Sequence, residues 1–183
     1  MLPEEHPTLF FSRMKLQKVI LILLLLCSVA ASGKERYRVR TLPLGNMYFF
    51  MPYKLKASSG NKLQYDMTLL SYRDSVTVNM TLTSPMGRVK SVRLQAGDVS
   101  YSTTQYELFF QERNGSRFDT RVHIDCPGQI YTRLFASPEP LNIELTMESG
   151  KQYSFTYKPK KWQEESRYVS EVMEMIAYTN SRH

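Results

Sequence analysis

Short runs of apolar and β-branched residues recur between residues 47 and 158, and turn-forming residues separate them. Val, Ile, Thr, Tyr and Phe are frequent in the runs, and Gly, Pro, Asn and Ser in the gaps, which is the pattern of β-strands joined by tight turns. The predicted strands cover residues 47–53, 62–70, 75–83, 89–95, 99–103, 105–112, 117–124, 141–147 and 151–158. Eight or nine short strands predict a mainly β protein, an antiparallel β-sandwich or a partly open barrel.

After the last predicted strand, the hydrophobic period changes from two residues to three and four. Trp162, Val169 and Val172 fall on one side of a helix and charged residues fall on the other, so the segment is amphipathic. Pro159 suits the first turn of such a helix. We predict one C-terminal α-helix over residues 159–183 that packs on the β domain and buries Trp162. A helix that binds a groove or a membrane surface is the alternative, which its acidic polar face disfavours.

Side-chain parity sets the expected register of two hairpins, because facing residues share one face of a sheet. In the first hairpin, a three-residue loop over residues 113–115 pairs Phe110 with Phe118 and keeps the apolar side chains on one face. Both hairpin loops end in glycine, which suits the left-handed position of a three-residue loop. The second hairpin has its loop over residues 148–150 and places three apolar residues opposite three aromatic ones, namely Leu141, Ile143 and Leu145 opposite Tyr157, Phe155 and Tyr153.

Near the N-terminus, an apolar run covers residues 19–31 and follows basic side chains. A transmembrane helix needs about 20 apolar residues, so this run is too short to span a bilayer comfortably. It ends in Val29-Ala30-Ala31, which places small residues where signal peptidase reads the chain. The pattern predicts a signal peptide over residues 1–31 and cleavage after Ala31.

Export would leave a β-sandwich domain over residues 32–158 followed by the C-terminal helix. The expected location is the periplasm or the cell envelope. Two alternatives stay open, an uncleaved anchor and a lipid on Cys27. Residues 1–13 contain acidic residues and prolines that no signal peptide needs, so they are a candidate start-site artefact.

The chain has 24 basic and 17 acidic residues and a net charge of +7. The basic residues are scattered, and Lys160-Lys161 is the longest consecutive cluster. Nucleic-acid binding requires a basic stripe interleaved with aromatic residues, so no nucleic-acid partner is expected. Once the signal peptide is lost, Cys126 is left without a second cysteine, so no intramolecular disulfide can form. We expect its thiol to be buried.

One short constellation, His123-Ile124-Asp125-Cys126, combines residue types that catalyse reactions. A thiol can act as a nucleophile beside an imidazole that a carboxylate orients. Parity opposes this role, because Ile124 belongs to the core and Cys126 shares its face, whereas His123 and Asp125 point the other way. We therefore predict no catalytic residue and no cofactor. The three histidines of the chain lack the paired spacing of a zinc site, so no metal is expected either.

Three positions match modification signals. The N-glycosylation pattern occurs at Asn79 and Asn114, and Asn114 is the candidate acceptor because it lies at a hairpin tip. The tripeptide around Ser75 matches the Asp-Ser/Thr-aliphatic pattern of O-glycosylated exported Bacteroidetes proteins, which makes Ser75 a second candidate. The simpler interpretation of Ser75 is a turn before a strand.

Two aromatic motifs, YFFMP at residues 48–52 and YDMT at residues 65–68, lie in a β-rich body between a leucine-rich signal and a C-terminal helix. In this layout the chain resembles uncharacterised exported β-rich proteins of Bacteroidetes. The likeness covers most of the chain. It implies export and a β fold, and it implies no activity.

These observations predict a non-enzymatic, exported envelope module that binds a protein or glycan partner or serves as an assembly component. The alternative is a hydrolase whose site is assembled from residues distant in the sequence. A deep pocket with convergent carboxylates would favour the hydrolase, whereas a flat, exposed sheet face would favour binding.

Overall fold

The computed structural model of the protein describes residues 36–57, 60–85 and 87–180. The predicted signal peptide, its cleavage site and Cys27 lie outside the described residues. The described chain forms ten strands and two helices, which are β1 (Tyr37–Leu42), β2 (Gly45–Lys56), β3 (Lys62–Leu70), β4 (Ser75–Ser84), β5 (Val89–Ala96), β6 (Val99–Thr103), β7 (Glu107–Asn114), β8 (Arg117–Pro127), α1 (Gly128–Ala136), β9 (Asn142–Met147), β10 (Gln152–Thr156) and α2 (Pro159–Asn180).

The strands form two antiparallel sheets. One sheet has six strands in the order β1-β2-β3-β4-β8-β7, and the other has four in the order β10-β9-β5-β6. Buried side chains from both sheets belong to one hydrophobic cluster. The predicted mainly β, antiparallel sandwich with a C-terminal helix is therefore confirmed.

Period-two alternation along the strands builds the core. In β4, threonines lie on the outer face, and the buried positions between them are Val76, Val78, Met80 and Leu82. The sheets also meet through polar groups, because the hydroxyls of Tyr65 in β3 and Tyr157 after β10 hydrogen-bond to each other inside the core. The core thus includes aromatic residues whose polar ends are paired.

The C-terminal helix α2 packs on the β domain and buries Trp162, as predicted. The indole Nε1 donates a hydrogen bond to the carbonyl oxygen of Ser137 at 3.0 Å, and the ring lies 4.9 Å from that of Phe135 in α1. The buried side of α2 also carries Glu165, which the hydrophobic pattern does not predict. Neither described helix has the length and apolar composition needed to cross a membrane.

Two elements, β1 and α1, are absent from the predicted set. β1 alternates Tyr37, Val39 and Thr41 with Arg38 and Arg40, so the period-two signal of a strand was present and was overlooked. The nine-residue helix α1 also carries a signal, since Tyr131, Leu134 and Phe135 are buried at helical spacings of three and four.

The β9–β10 hairpin has the predicted register. Phe155 pairs with Ile143 and Tyr153 with Leu145. Gly150 ends the three-residue loop with φ +82°, the left-handed conformation that the parity argument requires.

The predicted register of the β7–β8 hairpin is wrong. Its loop is the two-residue Gly115-Ser116, and Phe110 pairs with Arg121 instead of Phe118. A positive φ at Gly115 and none at Ser116 is the pattern of a type II′ turn. Phe110 and Phe118 therefore lie on opposite faces of the sheet. The prediction failed because it assumed that every apolar side chain of this hairpin faces the core.

Candidate functional site

β7 is an edge strand of the six-stranded sheet, and all eight of its residues are exposed. The exposed fractions are 53% for Leu108, 49% for Phe109 and 37% for Phe110. Strands lie about 4.8 Å apart, so a four-stranded sheet is too narrow to cover six strands. Three consecutive large apolar side chains thus meet solvent on a strand whose second edge has no neighbouring strand among the described residues.

A β-bulge at Phe109 sets the directions of these side chains. Leu108 pairs with β8 before the bulge and lies on the core side, whereas Phe110 pairs with Arg121 after it and lies on the outer face. The ring of Phe109 lies 4.7 Å from the imidazole of His123. The apolar edge is thus continuous with the outer face of β8.

The outer face beside this edge contains a buried carboxylate, Asp66 of β3, which is 2% exposed. Its Oδ1 accepts a hydrogen bond from Asn79 Nδ2 at 2.8 Å, and its Oδ2 accepts one from Arg121 Nη2 at 2.9 Å. Arg121 Nη1 also donates to Thr81 Oγ1 at 2.9 Å. A buried charge is costly unless it is paired and hydrogen-bonded, and both oxygens of Asp66 meet that condition. These hydrogen bonds therefore fix the position of the Arg121 side chain, which lies next to Phe110 on the outer face.

His123 lies on the outer face of β8, as parity predicts, between Asn79 and Glu107. Its Nε2 is 3.4 Å from Glu107 Oε2, whereas its Nδ1 is buried and has no hydrogen-bond partner among the described residues. A cavity of about 260 Å³ adjoins this side chain, and Tyr101 and Asp125 also line it. An imidazole and two carboxylates around a small cavity can bind a polar group or exchange a proton with it.

Cys126 takes no part in this cluster. Its side chain lies on the core side of β8 and has no exposed surface, which confirms the predicted burial. Burial raises the pKa of the Cys126 thiol to about 12. The thiolate, which is the nucleophilic form, is therefore disfavoured.

The candidate modification residues lie in three different environments. Asn114 is exposed at the end of β7, and its Nδ2 donates to Asp119 Oδ2 at 2.8 Å. Asn79 is buried beside Asp66, which removes it as an acceptor in the folded protein. Ser75 begins β4 directly after the β3–β4 turn, as the simpler interpretation predicts.

A second cavity, of about 390 Å³, lies between the β3–β4 turn, α1 and the C-terminal half of α2. Leu69, Met173 and Ile176 contribute apolar walls, and Ser75 lies at its side. In the described ranges, no group of three His, Cys, Asp or Glu side chains is placed to hold a metal ion.

The exposed edge was not predicted, although the run Leu108-Phe109-Phe110 is visible in the sequence. Three apolar residues in succession do not fit an alternating strand with one solvated face, and this departure from alternation was the available signal. Comparison of the chain with protein-family models, curated proteins and solved structures finds no match.

Proposed function

We propose that this protein is an exported, non-enzymatic module of the cell envelope that binds a protein partner along β7. The observation that supports the proposal is the exposure of Leu108, Phe109 and Phe110 on an edge strand. Monomeric soluble proteins rarely leave such a strand open, because its unpaired N–H and C=O groups pair with other chains.

The chemistry of this surface suits an extended partner segment. Main-chain hydrogen bonds to an edge strand provide affinity, and side chains next to the strand provide specificity. Aromatic residues and arginine contribute most of the binding energy in protein interfaces. Phe109 and Phe110 lie at the centre of this surface. Arg121 lies on the neighbouring strand β8, opposite Phe110, and is hydrogen-bonded to Asp66.

A photo-crosslinking experiment tests the proposal. A photoreactive phenylalanine analogue replaces Phe110 in one sample and Met175, which is 41% exposed on α2, in the other. We expect irradiation of the native envelope fraction to give a discrete protein adduct from position 110 and none from position 175. The adduct should disappear when Phe109→Ser is added. Equal yields from both positions, or an adduct that resists Phe109→Ser, would contradict the proposal, and a glycan adduct would replace the protein partner with a glycan.

A hydrolase is the second candidate, because the 260 Å³ cavity brings Glu107, His123 and Asp125 together from two strands. In that role His123 would exchange protons with a substrate in the cavity. Screening of ester and glycoside substrates separates the two candidates. Turnover that is lost in His123→Gln and kept in Phe110→Ser would favour the hydrolase.

A further inference from the structure

We propose that the partner of β7 is β1 of a second copy of this chain, so that copies associate head to tail through a continuous sheet. The inference rests on the proposed function, because it names the occupant of the β7 edge. It follows from strand direction, from exposed apolar residues and from charge at the two edges of the six-stranded sheet.

The topology makes the two edges geometrically compatible. β1 and β7 are the opposite edges of a sheet with six strands, and every neighbouring pair is antiparallel. With an even number of alternating strands, β1 and β7 run in opposite directions. A second copy added in the plane of the sheet therefore presents its β1 antiparallel to β7. Its outer face then continues the outer face of the first copy.

The two edges also leave matching apolar side chains uncovered. Val39 of β1 is 51% exposed and pairs with Tyr48 on the core side of the sheet. Leu108 of β7 is 53% exposed on the same side. Both side chains are about half exposed although they lie on the core side of the sheet. A β7–β1 contact would place each against the other and remove both from water.

One register of the β7–β1 pair places opposite charges at facing positions. If Val39 faces Leu108, the preceding outer-face residue of β7, Glu107, faces Arg40 of the second copy. Opposite charges at facing positions stabilise an antiparallel pair. The bulge at Phe109 would be accommodated as β8 accommodates it, which brings Phe110 opposite Arg38. An arginine over an aromatic ring is a favourable contact.

Charge disfavours the two symmetric alternatives. In a two-fold β7–β7 pair centred on Phe110, Glu107 faces Glu112 of the other copy. In a two-fold β1–β1 pair centred on Val39, Arg38 faces Arg40. Like charges at facing positions are destabilising. Charge therefore disfavours β1–β1 and β7–β7 pairs and favours the β7–β1 pair. A head-to-tail contact does not close on two copies, so it predicts open chains of subunits.

Charge reversal provides a test with its own rescue. Full chains, purified as the expressing cell processes them, are compared by sedimentation velocity over a range of concentrations. We expect wild-type chains to associate, and Glu107→Arg and Arg40→Glu each to weaken the apparent Kd by about tenfold or more. Arg73→Glu, which reverses a charge in the exposed β3–β4 turn, should associate as the wild type does.

The decisive sample is an equimolar mixture of Glu107→Arg and Arg40→Glu. In the mixture every β7–β1 contact between unlike chains again joins opposite charges, so association should return to the wild-type level. Wild-type chains that stay monomeric, or a mixture that stays dissociated, would overturn the inference. Association that survives Arg40→Glu would overturn it as well.

The proposed function can survive the failure of this inference, and the crosslinker at position 110 shows which has failed. An adduct with a different protein that persists in Arg40→Glu would support the β7 docking site and reject a second copy as its occupant. The absence of any protein adduct would reject both. An adduct between two copies that Arg40→Glu abolishes would support both.

Discussion

The thiol of Cys126 lies in the core, on the opposite face of β8 from His123. Because burial raises its pKa to about 12, we expect a thiol reagent to label Cys126 at neutral pH only as the protein unfolds. Cys126→Ser should lower the free energy of unfolding by about 1–2 kcal/mol, since a hydroxyl is buried there without a good partner. Urea denaturation measures the loss. Rapid labelling of the folded protein, or a variant that loses a function at unchanged stability, would contradict this account.

At Gly150, the cost of a substitution comes from the backbone alone. Its φ is +82°, and no heavy atom lies within 4 Å of an added Cβ. Gly150→Val should therefore destabilise the domain by about 1–2 kcal/mol through the disfavoured left-handed conformation. Gly150→Asn is the control and should cost less, because asparagine tolerates this region. Equal losses for Val and Asn would show that φ is not the cause.

Alternation predicted the strands that are buried on one side, and it also predicted β7 as a strand, but the predicted register of β7 was wrong and β1 was missed. β4 and β10 alternate because each has one face in the core. β1 keeps its alternation although its four central side chains are exposed, whereas β7 is exposed on both faces and does not alternate. The sequence pattern of a single strand does not indicate whether that strand lies at the edge of a sheet. That knowledge comes from long-range pairing, and the candidate site depends on it.

The docking of α2 leads to a pH-dependence prediction, because its buried side includes Glu165 at 3.6 Å from the guanidinium of Arg36. Burial raises the pKa of Glu165, and the nearby Arg36 opposes part of that rise. Because the pKa of Glu165 is raised in the folded state, its contribution to the free energy of unfolding is fully present below the ordinary glutamate pKa. It is lost as pH rises through the raised value.

We therefore expect Glu165→Gln to be more stable than the wild type at neutral pH, because the amide has no charge to desolvate. The difference should shrink as pH falls below the ordinary glutamate pKa, where both side chains are neutral. Thermal unfolding at a series of pH values measures it. A Gln variant less stable than the wild type at neutral pH would mean that the Arg36 contact outweighs desolvation. Glu171→Gln, on the exposed side of α2, serves as the control.

Unequal sheet widths help to explain why apolar residues on the core side of the edge strands stay exposed. The four-stranded sheet cannot cover both outer strands of the six-stranded sheet, so apolar residues stay uncovered at β1 and at β7. The charges that accompany them differ, because β1 has two arginines whereas β7 has Glu107 and Glu112 and one arginine, Arg113. The two edges of the sheet therefore differ in charge, and this difference favours head-to-tail association over the pairing of like edges.

Cleavage of the predicted signal peptide would decide which form of the chain meets a partner. Since Val29-Ala30-Ala31 precedes Ser32, intact mass of the exported protein should place the mature N-terminus at or near Ser32. Cleavage there lies upstream of Tyr37, so it leaves β1 and its edge complete. Ala31→Phe should block cleavage and retain residues 1–31, because a bulky side chain does not fit signal peptidase. A lipid mass on Cys27, or an unprocessed wild-type chain, would contradict this prediction.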